Sequence, residues 1–270
     1  MDIHSLPHAP QTQADRETQL QSALAAALKA RQFFICLQPK FSLPGRRIVG
    51  AEALLRWNDP DEGILFPAEF LPAAERSGYL EALDLYALEE ACRCVHSWME
   101  RGIRVVPLSV NLSAETLQAT HFYEAARDCL QRYDIPPAHI EFEFSAHHVR
   151  YYPAQLAKAI SCLHKLNCAC SIDGFSEDAS VLTQLCAFEV DTVKFNCRSF
   201  VHENQQAGMA ACIETLSAAR ELHMRMLCEG VELSSQLTTL AAAGCELMQG
   251  YALSMPVSAN LFAHMLRKPG

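Results

Sequence analysis

The stretch Ile48-Val49-Gly50-Ala51-Glu52-Ala53-Leu54-Leu55-Arg56-Trp57 decides the fold: eight apolar and small residues interrupted by one carboxylate and one guanidinium. It is the length of a buried strand and too short for an ordinary helix. Segments of the same kind recur along the chain. They are FFICLQP (33–39), VVPLSVNLS (105–113), IEFEFS (140–145), CACSID (168–173), VDTVKFN (190–196), MRMLCEG (224–230) and CELMQGY (245–251). Proline closes the first of these, and Pro107 inside another weakens it as a strand. Helical spacing fills the gaps: Leu88, Ala91, Val95 and Trp98 share one face, and Met209, Ile213, Leu216 and Ala219 another. Eight strands, most followed by a helix, predict a (β/α)₈ barrel rather than an open doubly wound sheet. No glycine-rich dinucleotide or P-loop signature is present to favour the open sheet.

Outward from this core the chain is simple. Residues 1–14 read as a polar arm and 15–270 as one barrel domain. The barrel domain opens with a helix from about Ala14 to Arg31, which places Leu20, Leu24, Ala27 and Leu28 on one face. The 270 residues are half apolar and one-fifth charged, enough to bury a sizeable core. The net charge of −9 speaks against a nucleic-acid groove or an anionic membrane partner. The start carries no secretory signal and no eighteen-residue apolar run follows, so the expectation is a cytoplasmic protein. Its twelve cysteines form no C-x-x-C pair and are expected to be reduced, buried apolar groups.

Parallel barrel strands are expected to be almost wholly apolar. Seven of these carry one polar residue in or just after the run: Glu52, Asn111, Glu143, Asp173, Lys194, Glu229 and Gln249. Singly, each has a plain structural reading. A lone glutamate is an ion-paired surface residue, Asn111 or Glu229 caps the following helix, and Lys194 snorkels to the surface. Recurrence at the same point of successive strand–helix units argues instead for convergence at one barrel mouth, where barrel enzymes hold their chemistry. Carboxylate and amide oxygens without histidine or thiolate suit a hard cation such as Mg²⁺ or Mn²⁺. With a lysine beside them, they point to metal-assisted attack on a phosphodiester.

The ordered motifs resemble one family. Gln38-Pro39, Glu52-Ala53-Leu54-Leu55-Arg56, Pro67 to Glu75, Asn111-Leu112-Ser113, Glu143, Asp173, Val193-Lys194, Glu229-Gly230-Val231-Glu232 and Gln249-Gly250-Tyr251 are similar to those of EAL-domain cyclic di-GMP phosphodiesterases of bacteria. The resemblance spans about residues 30–265. It implies a modified (β/α)₈ TIM-like barrel that hydrolyses cyclic di-GMP to pGpG with two Mg²⁺ or Mn²⁺ ions. By the same resemblance Glu52, Asn111, Glu143 and Asp173 hold the first metal, and Asp173 bridges to a second that Glu229 also binds. Lys194 positions the attacking water and Gln249 holds the water network. Glu232 supports the site, Gln38 and Arg56 contact the ligand, and a homodimer interface is suggested.

The departures cluster. Where active members have Asp-Asp-Phe-Gly-Thr-Gly, this chain reads Asp173-Gly174-Phe175-Ser176-Glu177-Asp178. Three residues after Glu143 the family's glutamate is Ala146, and its Lys-Ile-Asp becomes Lys194-Phe195-Asn196. One metal site is expected intact and the second degenerate. Glu177 and Asp178 are expected not to replace the lost aspartate, and His147 and His148 are expected to be a solvent-facing pair. Three functions stay open here. The chain is a catalytically impaired receptor that binds cyclic di-GMP; or an active phosphodiesterase; or a protein-interaction regulator that has abandoned the nucleotide. No companion sensor, cyclase or DNA-binding domain is legible in it, so output is expected to pass through a protein partner, for instance a transcriptional regulator, or through depletion of the nucleotide.

Overall fold

The computed structural model describes residues 13–43, 46–119, 121–175, 185–197 and 205–267, without side chains at 13, 14, 205–209 and 211. The expected arm therefore lies outside the described residues up to position 12, as do Glu177 and Asp178.

The chain begins with helix α1 (Gln13–Lys29), then β1 (Phe33–Ser42), β2 (Arg47–Asp59), β3 (Gly63–Leu65), α2 (Pro67–Arg76), α3 (Leu80–Glu100) and β4 (Leu108–Leu112). It continues with α4 (Ala114–Gln118), α5 (Phe122–Arg132), β5 (Ile140–Ser145), α6 (Ala146–Tyr151), α7 (Pro153–Lys165), β6 (Ala169–Phe175) and β7 (Thr192–Asn196). It ends with α8 (Gln205–Glu221), β8 (Met226–Glu229), α9 (Ser234–Ala242), β9 (Leu247–Met248), β10 (Val257–Ser258) and α10 (Ala259–Arg267). Strands β2, β4, β5, β6, β7, β8 and β9 run parallel in that order. Strand β1 closes the ring by pairing antiparallel with both β2 and β9. The result is an eight-stranded α/β barrel with one reversed strand. The reversal follows from chain length: residues 43–46 are all that separate β1 from β2, far too few for a crossover helix.

Proline did not end β1. Pro39 lies opposite Ala51, whose N–H donates away from β1 to the carbonyl of Pro107, 3.0 Å away. The Pro39–Ala51 position thus needs no N–H from β1, and the missing donor costs the ladder nothing. Pro107 itself stands just before β4 rather than within it. Strands β3 and β10 carry two or three residues each, below the length at which periodicity is readable.

Two apolar clusters hold the molecule. The larger joins the outward faces of the strands to the surrounding helices, with Leu88, Ala91, Val95 and Trp98 of α3 all buried in it as their spacing predicts. In α8 the buried stripe is Cys212, Leu216 and Ala219, together with Thr215, while Ile213 is exposed. Leu216 and Ala219 are buried as their spacing predicts, Cys212 takes the place expected for Ile213, and the side chain of Met209 lies outside the described residues. The smaller cluster packs Leu20, Leu24 and Ala27 of α1 against Phe33, Trp57 and Phe70. Phe33 meets Phe70 edge-on at 5.6 Å, one of the aromatic geometries that adds to plain burial.

The barrel interior departs from the all-apolar expectation. Period two aims Glu52, Ser109, Glu141, Glu143, Ser171, Thr192 and Lys194 inward, and the apolar shell lies outside them. These strands alternate because the barrel is lined with charge on one side and packed by helices on the other.

Candidate functional site

Lys194, at the centre of β7, is fully buried. Its Nζ lies 2.9 Å from Glu52 Oε2, 2.7 Å from Glu143 Oε2, 3.1 Å from Asp173 Oδ1 and 3.3 Å from Glu229 Oε2. Four strands thus deliver carboxylates to one ammonium group. Asn111 Nδ2 donates to Glu52 Oε1 at 2.9 Å, and Gln249 Nε2 donates to Glu52 Oε2 at 2.8 Å. All seven polar residues expected at the mouth are joined in this network.

The plain readings of these residues fail on contacts. Ser113, not Asn111, caps α4 by accepting from the Thr116 N–H at 3.3 Å. Glu229 lies well before α9, and Lys194 reaches no surface.

The electrostatics follow from burial and proximity. Burial alone would raise the Glu143 carboxyl, but Lys194 and Lys40 override it and hold it at about 2. Burial likewise disfavours a charged Lys194, yet Glu143, Glu52, Glu229 and Asp173 push its value well above the ordinary range. Glu229 goes the other way. Burial, opposed by Lys194 and reinforced by Asp173, Glu52 and Glu143, raises it to about 8. At neutral pH the cluster therefore keeps Glu143 ionised and leaves a proton on Glu229.

Glu52, Glu143 and Asp173 each offer an oxygen within 4.8 Å of the others. Gln249 Oε1 is buried and has no hydrogen-bond partner. An oxygen-only donor set with an orphaned acceptor beside it fits a hard divalent cation and its water. This carboxylate triad is the one such group among the described residues.

Other expected residues lie at the rim. Gln38 pairs in register with Glu52 and lines a cleft of about 220 Å³ with Asn196, Glu229, Gln249 and Tyr251. Arg56 sits further along the same face of β2, where its Nη1 donates to the Leu55 carbonyl at 2.7 Å and its guanidinium stacks 4.9 Å over Phe66. Glu232 is exposed, with its backbone N–H donating to Gln236 Oε1. Arg56 makes neither of these contacts with the Lys194 cluster. Gly250, just after β9, permits a close approach to Val231, whose backbone a side chain there would strike.

Two site features were not anticipated. Lys40 is buried and bridges Glu143 at 2.7 Å and Glu141 at 3.3 Å, so Glu143 is gripped on both oxygens by separate ammonium groups. The signal was available, since Lys40 lies two residues beyond Gln38 on the same face of β1. The histidine pair also divides. His147 is exposed, but His148 is buried, its Nδ1 is unpartnered, and burial together with the neighbouring His147 lowers its value to about 4.

At the degenerate position, Gly174 is exposed with φ of +73°, and its N–H donates to Asp173 Oδ1 at 2.7 Å. Glycine adopts this left-handed conformation freely. The residue supplies no side-chain ligand.

A polar-lined (β/α)₈ barrel with a carboxylate ring around one buried lysine defines the architectural class. Residues 21–256 match the EAL domain, and the chain belongs to that family. It is 32% identical over 252 residues to MucR of Pseudomonas aeruginosa, a bifunctional diguanylate cyclase/cyclic di-GMP phosphodiesterase, covering 92% of this chain and 36% of MucR. The chain spans about a third of the length of the first curated relatives it matches. Among solved structures, the MucR phosphodiesterase in complex with c-di-GMP superposes with a TM-score of 0.81 at 29% identity, covering 90% of this chain and 99% of that one. The FimX EAL domain from Pseudomonas aeruginosa bound to c-di-GMP gives 0.81 at 27% identity, covering 88% and 96%. Among the described residues no helix is long and apolar enough to cross a membrane.

Proposed function

We propose that this chain is a cyclic di-GMP receptor with little phosphodiesterase turnover. The observation that carries the reading is Gly174, which puts a bare backbone turn beside Asp173 where a second carboxylate would be needed. The binding half rests on the retained cleft, on the EAL family, and on the two similar EAL domains solved with c-di-GMP.

In this reading Glu52, Asn111, Glu143 and Asp173 hold one Mg²⁺ or Mn²⁺, with Glu229 at the edge of a weakened second position. Such an ion supplies charge neutralisation at a phosphodiester oxygen. The chain's own groups do the positioning. Asn111 and Gln249 fix the Glu52 carboxylate from two sides. Lys194 remains charged and is placed to orient a water, while Gln249 Oε1 is free to accept from it. Burial raises Glu229 to about 8 in the metal-free cluster, so a cation at this edge would bind in exchange for its proton. Gln38 and Arg56 contact the dinucleotide, Arg56 at a phosphate with its guanidinium fork, and Glu232 supports the loop after β8. Two-metal displacement needs both oxygens clamped, so loss of one ligand costs turnover more than binding. A receptor that does not consume its ligand must pass occupancy on, which makes a protein partner such as a transcriptional regulator the route of output. A cytoplasmic setting and a homodimer belong to the same proposal.

The second reading, an active phosphodiesterase, is favoured by the complete set of contacts around Lys194. Incubation of the purified chain with cyclic di-GMP and Mg²⁺ or Mn²⁺, with calorimetry alongside, separates the two. Micromolar binding with negligible pGpG is expected. Rapid pGpG release overturns the receptor reading, and neither binding nor turnover favours a pure interaction module.

A further inference from the structure

A pair of buried thiols lies beside strands β8 and β9. Cys228 Sγ and Cys245 Sγ are 3.1 Å apart, and both residues are buried. Cys245 Sγ also points at the Leu247 carbonyl, 3.1 Å away. Cys245 lines a cavity of about 320 Å³ at the amino-terminal ends of β8 and β9, the barrel end opposite the carboxylate ring. Arg220, His223 and Arg225 line the same cavity, and Arg220 reaches across Gly244 to donate to the Ala243 carbonyl at 2.8 Å. Glu246 lines the cavity as well, so what sets Cys245 apart from an inert core thiol is the opening beside it and a second thiol 3.1 Å away.

The geometry points to Cys228 and Cys245 as a dithiol site that a small hydroperoxide converts to an intramolecular disulfide. Cys245, which lines the cavity, is the entry sulfur. It attacks the peroxide, the O–O bond breaks, water or an alcohol leaves, and Cys245 becomes a sulfenic acid. Cys228 then attacks that sulfur, an S–S bond forms and the second water leaves, so two thiols are oxidised and one peroxide is reduced. The sulfurs need to close by only about 1 Å to reach bonding distance. The bond ties down backbone that presents the site, because Cys228 precedes Glu229 and its carbonyl accepts the Gln249 N–H at 2.8 Å.

The test is peptide mapping of the full chain after brief exposure to hydrogen peroxide, quenching with an alkylating agent under denaturation, and mass spectrometry. A Cys228–Cys245 cross-linked peptide, two mass units below the sum of its parts and reversed by dithiothreitol, is expected as the dominant disulfide. Cys245→Ala should reduce it at least tenfold; the wild-type map alone decides the matter if that variant does not fold. Recovery of both peptides fully alkylated, with oxidation confined to exposed Cys186, overturns the proposal. So does a dominant bond from Cys228 to its other buried neighbour, Cys197.

Discussion

Along β5, neighbouring residues belong to two different solvents. Glu141 and Glu143 face into the barrel and end on Lys40 and Lys194, whereas Phe142 and Phe144 face the helices, with Phe142 edge-on to Phe122 at 5.8 Å. The outer face is held by burial and packing, which are non-directional and cumulative. The inner face is held by an alternating ladder of charges, in which each member is tolerable only because the next is present. The two faces should therefore fail differently when broken.

The largest loss is expected at Lys194. Lys194→Met leaves Glu52, Glu143, Asp173 and Glu229 facing one another around an apolar side chain. Removing one partner of a buried ionic group costs about 3–5 kcal/mol. Urea unfolding should show that loss, and Mn²⁺ should recover part of it by taking over the neutralisation. A variant as stable as wild type without metal would mean the carboxylates shed their charge by taking up protons instead.

Phe142→Ala breaks the outer face at the adjacent residue. Truncating a fully buried phenylalanine costs about 3 kcal/mol. Here Mn²⁺ should restore nothing, and Mn²⁺ binding to the folded variant should be close to that of wild type. If metal rescued both variants equally, the division between the faces would be wrong.

His148 sharpens the contrast, because it is a polar group placed on the apolar side. It is buried against Phe144, and burial together with His147 lowers its value to about 4. An unfolded histidine titrates near 6.5. Between those values the unfolded chain takes a proton that the folded chain refuses, so stability falls as pH drops from about 6.5 to 4 and the loss levels off below. At about 1.4 kcal/mol per pH unit the full difference is worth about 3 kcal/mol, and solvent screening reduces the expected loss to about 2 kcal/mol. His148→Leu should flatten that part of the pH–stability curve, and an unchanged slope would place the titration elsewhere.

How far the sequence carries follows from these faces. The strands and the ring of polar residues were legible because period two and the length of a strand–helix unit are local properties. Eight strand–helix units already predicted the barrel, and the resemblance to the EAL family, carried by motifs in order, added roles for the ring residues and a ligand. What stayed hidden depends on partners distant in the chain. Lys40 was missed because Pro39 reads as a strand end until Ala51 is seen to donate elsewhere. His147 and His148 read alike in the sequence, because burial within one short helix is decided by what packs on it. Arg56 carries the family's pattern, yet its contacts are the Leu55 carbonyl and the Phe66 ring, and no spacing rule could have separated it from the residues around Lys194.

The smallest expected effect bears on the mouth itself, where the inner ladder ends at Gly174. An added Cβ there meets nothing within 4 Å, so space does not oppose a side chain. The left-handed φ of +73° does, at a cost of about 1 kcal/mol, which aspartate bears better than most residues. Ala146, half-buried in the first turn of α6, is the companion position. Gly174→Asp with Ala146→Glu should raise pGpG formation about tenfold, equivalent to 1.4 kcal/mol of transition-state stabilisation. Affinity for cyclic di-GMP should change less than turnover, because the cleft residues are untouched. A gain in affinity without a gain in turnover would move the defect from Gly174 to the positioning of Lys194 or Glu229.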